Sequence, residues 1–409
     1  MSEHLIIRNF GPIESAEMDI NGLTVFVGAQ ATGKSLAAQL LYFMRQVENL
    51  AVWRSVNRSP HSDSITDELK QLLSWWIGNN AANYFRKDTF VAWREEKNAA
   101  ETECSIEGNF QPNPRLAVRM QDAARNSWEK QKAALPMMFH DIYIPAGRSL
   151  YSFLPPSRVL RIVSASPEDW PGYIYVFYEI LGESINRLFA GERDEGGGAW
   201  TGDAIFSESA AIISEYIRSR MDEILKGKLH YSQSGAVVFE VDQKMFFPTA
   251  IASGQMEVWP FLTILLAHLS RLDRARRGPL RIYFEEPEAH LHPAAQKKLL
   301  EIIIAADREQ YILTTHSPYV LYTINNSLMK GKLLASRQKE LELVGDPAVL
   351  KETLASLRAS QVSAYLFGTD GQVTDIFDPI TGLVDEYELD QVAENLGADF
   401  TAMQESLLS

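Results

Sequence analysis

The chain opens on short apolar stretches separated by turn residues. Residues 5–10 and 14–20 alternate roughly between apolar and polar, and 23–27 form a continuous apolar run suited to a buried strand. Gly11-Pro12 and Asn21-Gly22 supply the turns between them. From Lys34 to about Val47 the period changes, with Leu36, Leu40, Leu41, Phe43 and Met44 three or four residues apart or adjacent, which predicts a helix. Residues 60–135 read as mostly helical and irregular: Leu69, Leu72, Leu73 and Trp76 keep helical spacing, and 95–107 is polar. A short strand is expected at 142–145, a helical block at 172–226 broken by the glycine-rich loop 191–202, and a hairpin at 228–247. Helix 255–275, strand 281–284, helix 293–306, strand 311–314 and helix 318–325 follow. Strands and helices that alternate with short links predict a parallel sheet, so the expected class is α/β.

Composition narrows the function classes. With 409 residues, 46% of them apolar and 22% charged, the chain has enough material for a sizeable core, which excludes disorder as its main state. Its longest apolar runs, around 259–269 and 174–181, fall short of the ~18–20 residues that cross a bilayer, so no membrane span is expected. The first residues lack a basic and then apolar leader, and Cys104 is the sole cysteine, so a reducing cytoplasm is the expected location. The net charge of −14 is uneven: residues 340–409 carry 14 acids against Lys351 and Arg358, leaving only −2 for the rest. Two basic clusters, Arg271, Arg274, Arg276, Arg277 and Arg281, and Arg115, Arg119, Arg125, Lys130 and Lys132, could meet a phosphate backbone if either formed one exposed face. Solvated helix faces would look the same in sequence.

The strongest chemical signal is Gly28, Ala29, Gln30, Ala31, Thr32, Gly33, Lys34 and Ser35, a phosphate-loop pattern between an expected buried strand and an expected helix. Its glycines let backbone N–H groups wrap phosphates, Lys34 would reach the β/γ oxygens, and Ser35 would bind magnesium. A second signal is the strand at 281–284 ending in Glu285 and Glu286, which places carboxylates at the carboxyl edge of a parallel sheet. There Glu285 would hold the magnesium and Glu286 would act as the base on the attacking water. His316, in Thr315-His316-Ser317-Pro318, ends another strand, from which it could donate a hydrogen bond to the γ-phosphate. His290 and His292 lie two apart with no further His/Cys cluster, so no dedicated transition-metal site is expected. Trp75, Trp76, Tyr173, Tyr175, Phe177 and Tyr178 could stack bases, but packing is the simpler reading.

In order, the phosphate loop, Ala252-Ser253-Gly254-Gln255, Glu285-Glu286-Pro287-Glu288-Ala289-His290-Leu291-His292-Pro293 and Thr315-His316-Ser317-Pro318 closely resemble the ABC-type ATPases of the RecF, SMC and OLD kind. The opening Ile7-Arg8-Asn9-Phe10-Gly11-Pro12-Ile13 is similar to the start of that family. The resemblance implies a head with an N-terminal antiparallel β portion, a parallel phosphate-loop sheet flanked by helices, and inserted helical blocks. It also implies ATP and Mg2+ as ligands and a homodimer, or a larger homo-oligomer, around shared ATP. Ser253, Gly254 and Gln255 would then be the signature, touching the γ-phosphate held by the other subunit. Ala252 stands where the family usually has serine, Gln30 where asparagine is usual, and Glu285 where transport and SMC proteins have aspartate. Glu-Glu-Pro-Glu is similar to the OLD branch, in which Pro145-Ala146-Gly147-Arg148-Ser149 resembles a segment near the nucleotide.

On this resemblance the chain divides into a first head segment 1–48, a helical insertion 49–140, a head strand 141–150, a helical block 151–227, a second head segment 228–330 and an acidic C-terminal region 331–409. Sustained heptad arms are missing between the head segments, and too few residues follow 318–320 for an in-chain nuclease. The end of the chain resembles stand-alone bacterial ATPases of anti-phage defence. That likeness implies a nucleotide-gated scaffold or sensor, a separate TOPRIM-type nuclease effector and a phage-encoded trigger. The alternative is a RecF-like DNA-binding ATPase of DNA repair. The acidic end argues mildly against direct nucleic-acid contact, which the sequence leaves open.

Overall fold

The computed structural model describes residues 2–57, 64–78, 81–97, 100–125, 140–149, 156–165, 170–190, 208–231, 237–246, 252–269, 280–306, 309–337 and 353–386. The loop 191–202, Lys130, Lys132, Arg271, Arg274, Arg276 and Arg277, and the last part of the acidic region lie outside them.

Strands β1 (Ser2–Phe10) and β2 (Ile13–Asp19) form a hairpin with Phe10 opposite Ile13, and β3 (Leu23–Gly28), buried along its whole length, leads into the phosphate loop. Helix α1 (Lys34–Asn57) follows directly. Residues 36–47 of α1 are buried on every side, as a helix enclosed by the core must be. Its buried polar side chains therefore all need partners: Gln39 reaches Glu285, Arg45 reaches Glu3 and Tyr283, and Gln46 reaches Asp141.

After α2 (Ile65–Ile77) and α3 (Ala81–Tyr84) the structure departs from the helical expectation. Residues 85–107 form two long strands, β4 (Phe85–Lys97) and β5 (Ala100–Glu107), followed by β6 (Gln111–Pro112) and α4 (Pro114–Arg125). β4 pairs antiparallel with β1 on one side and β5 on the other, making a five-stranded sheet in the order β2-β1-β4-β5-β6. The physical reason is a period of two hidden in polar residues. Glu103 and Glu107 fall on one face, while Cys104 and Ile106, on the other, are fully buried. Arg94 stands opposite Glu103 and pairs with it at 2.5 Å.

Beyond β7 (Asp141–Ile144) and a short 3-10 turn, Ala146–Ser149, come helices α5 (Pro156–Ala165), α6 (Gly172–Ala190) and α7 (Glu208–Leu225). The expected hairpin at 228–247 is a three-stranded antiparallel sheet of β8 (Lys228–Tyr231), β9 (Val237–Val241) and β10 (Lys244–Phe246). The alternating pattern follows: α8 (Ser253–Leu269), β11 (Arg281–Glu285), α9 (Pro293–Ala305), β12 (Gln310–Thr315) and α10 (Pro318–Arg337). From the acidic C-terminal region come β13 (Val362–Phe367), β14 (Val373–Asp375), β15 (Phe377–Asp378) and β16 (Leu383–Val384).

The central sheet runs β14-β13-β3-β12-β11-β7, all parallel except the edge strand β14. Part of the acidic region is thus structural: β13 lies beside the phosphate-loop strand, with Phe367 in register with Gly28. In this register Gly28, Thr315 and Glu285 all arrive at the same carboxyl edge. The opposite edge is pinned by Arg281 on Asp141 and Arg45 on Glu3. Trp75, Trp76, Phe177 and Tyr178 are buried core, and Trp76 stacks on Tyr42 at 4.4 Å. Among the described residues no helix is long and apolar enough to cross a membrane.

Candidate functional site

The phosphate loop turns on two glycines. Gly28 has φ 140° and Gly33 φ 102°, both in the region that side chains avoid. A Cβ at Gly28 would meet the Phe367 carbonyl at 2.5 Å, and one at Gly33 would meet Ile13 at 2.6 Å. β13 and the β1–β2 hairpin therefore wall the loop from behind and leave Ala29, Gln30 and Ala31 exposed in front. Thr32 closes the loop on the Ala29 carbonyl at 2.9 Å, and the Ala37 N–H bonds the Gly33 carbonyl at 2.9 Å to begin α1. Lys34 is buried; its ammonium donates to the carbonyls of Gly28 at 2.9 Å and Ala29 at 2.5 Å. Burial pulls its pKa down, and the nearby Glu286 and Glu288 oppose that pull. The cradle and its cation fit the phosphates of a nucleotide.

Glu285 is buried and fully engaged. It accepts from the Tyr143 hydroxyl, from Gln39 at 3.4 Å and from the Ala146 N–H at 2.9 Å, and it contacts the Ser35 hydroxyl. Burial raises its pKa, and these hydrogen bonds counter the rise. A hydroxyl beside a buried carboxyl suits a magnesium ion, which Ser35 and Glu285 would hold. Among the described residues no three His, Cys, Asp or Glu side chains cluster to hold a metal ion.

Glu286 is held differently. Its φ of 42° is a left-handed conformation, stabilised by a bond from its N–H to the Thr314 carbonyl at 2.9 Å. This turns the side chain away from that of Glu285 and toward His316, whose Nδ1 lies 3.7 Å from Glu286 Oε1. His316 Nδ1 is also 3.9 Å from Oε1 of the buried Glu288. Both Glu286 and His316 remain partly open to solvent, with side chains 33% and 44% exposed.

The structure thus brings Lys34, Ser35, Glu285, Glu286 and His316 to one edge. Ser253, Gly254 and Gln255 stand elsewhere, in the first turn of α8. Gln255 caps that turn by accepting from the Ala252 N–H at 2.8 Å and donating to the Leu225 carbonyl. Ala252 and Ser253 are exposed, while Gly254 packs so closely on the acid loop that a Cβ would meet the His290 carbonyl at 2.7 Å. His292 serves structure: its Nδ1 accepts from the Ala294 N–H at 3.2 Å and caps α9.

Arg148 has a function that its sequence position hides. It is wholly buried, and its guanidinium donates to the carbonyls of Glu257 (2.7 Å), Pro145 (3.2 Å), Glu285 (2.9 Å) and Glu286 (3.0 Å). It also pairs with the Glu257 carboxylate at 3.2 Å and lies over Phe284. Arg148 therefore fixes the strand end that carries both acids and ties it to α8 one turn after Gly254. It is a clamp behind the site. The sequence signals were an arginine just after a buried strand and the likeness of 145–149 to a segment near the nucleotide, neither of which points to a clamp on backbone carbonyls.

A model of the family described as "AAA domain, putative AbiEii toxin, Type IV TA system" matches residues 260–321, from the middle of α8 through both acids and His316 to the start of α10. Similar solved structures include an SMC head bound to the C-winged helix domain of ScpA, 14% identical over 79% of this chain and 91% of that chain, with TM-score 0.40. An Smc head with an extended coiled coil, bound to the C-terminal domain of ScpA derived from Pyrococcus furiosus, is 14% identical over 97% and 99%, with TM-score 0.41. The SMC head domain from Thermotoga maritima is 11% identical over 79% and 91%, with TM-score 0.36. No curated protein gives a significant match. The matched segment carries Glu285, Glu286 and His316 on two neighbouring strands of the parallel sheet, and the phosphate loop lies outside it.

Proposed function

We propose that this chain binds ATP with magnesium and hydrolyses it at the carboxyl edge of the central sheet. The observation that carries the reading is the meeting of the Lys34 cradle, the engaged Glu285 and the open Glu286–His316 pair at one edge. Backbone N–H groups of residues 28–35 and Lys34 would hold the phosphates, and Ser35 and Glu285 would hold the metal, whose charge neutralises the phosphate oxygens. Glu286 takes the proton of a water whose oxygen bonds the γ-phosphorus as the β,γ-bridging P–O bond breaks, releasing ADP. His316 donates a hydrogen bond to the γ-phosphate from the other side.

Because Glu286 and His316 are partly exposed, a second surface should cover them when the reaction proceeds. The exposed Ser253 turn of a second copy suits that place, with Gly254 and Gln255 behind it. The chain then works as a homodimer, or a larger homo-oligomer, with ATP in shared sites. At a finer level the reading is a nucleotide-gated scaffold or sensor of anti-phage defence, of the kind of the ATPase subunit of the PARIS system. ATP assembles the heads, and a phage-encoded trigger frees a separate TOPRIM-type nuclease. A matched family whose description speaks of a toxin–antitoxin system supports this over DNA repair. So do two members of the basic clusters: Arg119 is spent on Glu48 and the carbonyls of Met44 and Arg45, and Arg281 on Asp141.

The test compares two variants. Lys34→Ala should lose ATP binding and hydrolysis together, whereas Glu286→Gln should keep binding and slow hydrolysis by about a hundredfold, or ~3 kcal/mol of barrier. Wild-type turnover in Glu286→Gln would refute the base, and salt-sensitive binding of duplex DNA would favour the repair reading.

A further inference from the structure

One acid at the site has no role in the scheme above. Glu288 is buried, and its Oε1 is fixed by the Thr315 hydroxyl at 2.5 Å and the His316 N–H at 3.1 Å. Its other oxygen, Oε2, is fully enclosed and has no hydrogen-bond partner among the described residues. A buried carboxylate oxygen without a partner costs about 1–3 kcal/mol, and the usual explanation is a ligand or water that completes it. A residue that only braced the end of β12 would need Oε1 alone. The surroundings say what lies beside this carboxylate: Glu288 acts electrostatically on Lys34 together with Glu286, and its Oε1 lies 3.9 Å from the same His316 nitrogen that Glu286 approaches. Lys34, His316 and the two carboxylates are thus neighbours, with Glu288 on the buried side.

Resting on the ATPase reading of this site, we propose that Glu288 is a second catalytic carboxylate, whose Oε2 accepts one O–H of the attacking water while Glu286 takes the other proton. The water oxygen then presents a lone pair along one direction. It bonds the γ-phosphorus, the bridging P–O bond breaks, and the proton ends on Glu286. Two acceptors on one water also explain the sharp turn between Glu286 and Glu288. The positive φ of Glu286 and the bond from the Ala289 N–H to the Glu286 carbonyl at 3.0 Å belong to a turn from which both acids approach the same His316 nitrogen.

The experiment uses the full chain and compares Glu288→Gln, Glu286→Gln, the double variant and Thr315→Val for fluorescent-ATP affinity and kcat. Glu288→Gln is expected to bind ATP within about threefold of wild type and to lose about tenfold or more in kcat. The double variant should fall no more than about threefold below Glu286→Gln alone, because the second lesion strikes a water already mishandled. Thr315→Val removes the Oε1 partner but leaves Oε2 in place, and should keep kcat within about threefold. If Glu288→Gln does not fold, Glu288→Asp keeps the charge but draws the oxygens back by one methylene, and the same loss is expected. A kcat within twofold of wild type in the folded Glu288 variant overturns the proposal, as do fully multiplicative losses in the double variant or equal losses in Thr315→Val. Hydrolysis untouched by Lys34→Ala overturns both the proposal and the reading of the site beneath it.

Discussion

Asp141 and Glu285 are both fully buried carboxylates at opposite ends of the parallel strands, and what bonds them decides how each responds to pH. Glu285 sits among Tyr143, Gln39, Ser35 and the Ala146 N–H. Asp141 meets Arg281 and Gln46, yet burial outweighs the arginines and pushes its pKa up to about 6 from the usual 3.8. The folded chain therefore binds this proton more tightly than the unfolded chain. The stabilisation is complete below about pH 4 and is lost as pH rises through about 6, a change on the order of 2–3 kcal/mol. Asp141→Asn removes that titration, so the melting temperature of the variant relative to wild type should climb by several degrees between pH 4 and 7. A constant difference across that range would show that Asp141 titrates alike in both states. At this scale the sequence was informative wherever chemistry dictates residue type. Gly28 and Gly33 are needed for positive φ, Lys34 puts a positive charge at the start of α1, and Glu286 puts a negative one just after β11. Arg148 was marked only by the likeness of 145–149 to a segment near the nucleotide; its part as a clamp was not legible, because its partners are mostly backbone carbonyls, which carry no sequence signal.

The elements show the same division. Strand–helix alternation after residue 252 was readable because both periods are clean there, and it placed Glu285 and His316 on neighbouring strand ends. β4 and β5 were hidden because their solvent face is charged, and alternating glutamates resemble an irregular polar loop. β13 was hidden by the acidic composition around it, although Val362–Phe367 is mostly buried and walls Gly28. What joins these elements behind the site is Arg148, linking the turn after β7, the end of β11 and the first turns of α8. A lysine there retains charge but reaches fewer of the four carbonyls, and each buried carbonyl left open costs about 1–3 kcal/mol. Arg148→Lys should therefore lower stability by about 2–4 kcal/mol in thermal or denaturant melts. It should also lower kcat more than ATP affinity, because the backbone of Glu286 is released while the Lys34 cradle is untouched. Equal losses in both would mean that the clamp supports the whole edge and not the acids in particular.

At the scale of the whole molecule, the proposed function requires the partly exposed Glu286–His316 pair to be closed off, and the proposed cover is a second copy presenting the Ser253 turn. Gly254 is a poor place to test it, since any side chain there collides with the chain's own His290 carbonyl at 2.7 Å. Ser253 is exposed at the start of α8, where a glutamate suits the positive end of the helix dipole and leaves the fold intact, yet repels a γ-phosphate brought against it. Lys34→Ala and Ser253→Glu chains should each be inactive alone, because every site in either homodimer carries a lesion. Mixed in equal amounts with free exchange, about half the dimers are mixed. In those, one site gathers both lesions and the other has neither, so roughly a quarter of wild-type hydrolysis should return under two-fold pairing. Native mass spectrometry of the mixture verifies that mixed dimers form. Full activity in Ser253→Glu alone would remove the turn from the site. Mixed dimers without recovery would mean that the two sites fire only together.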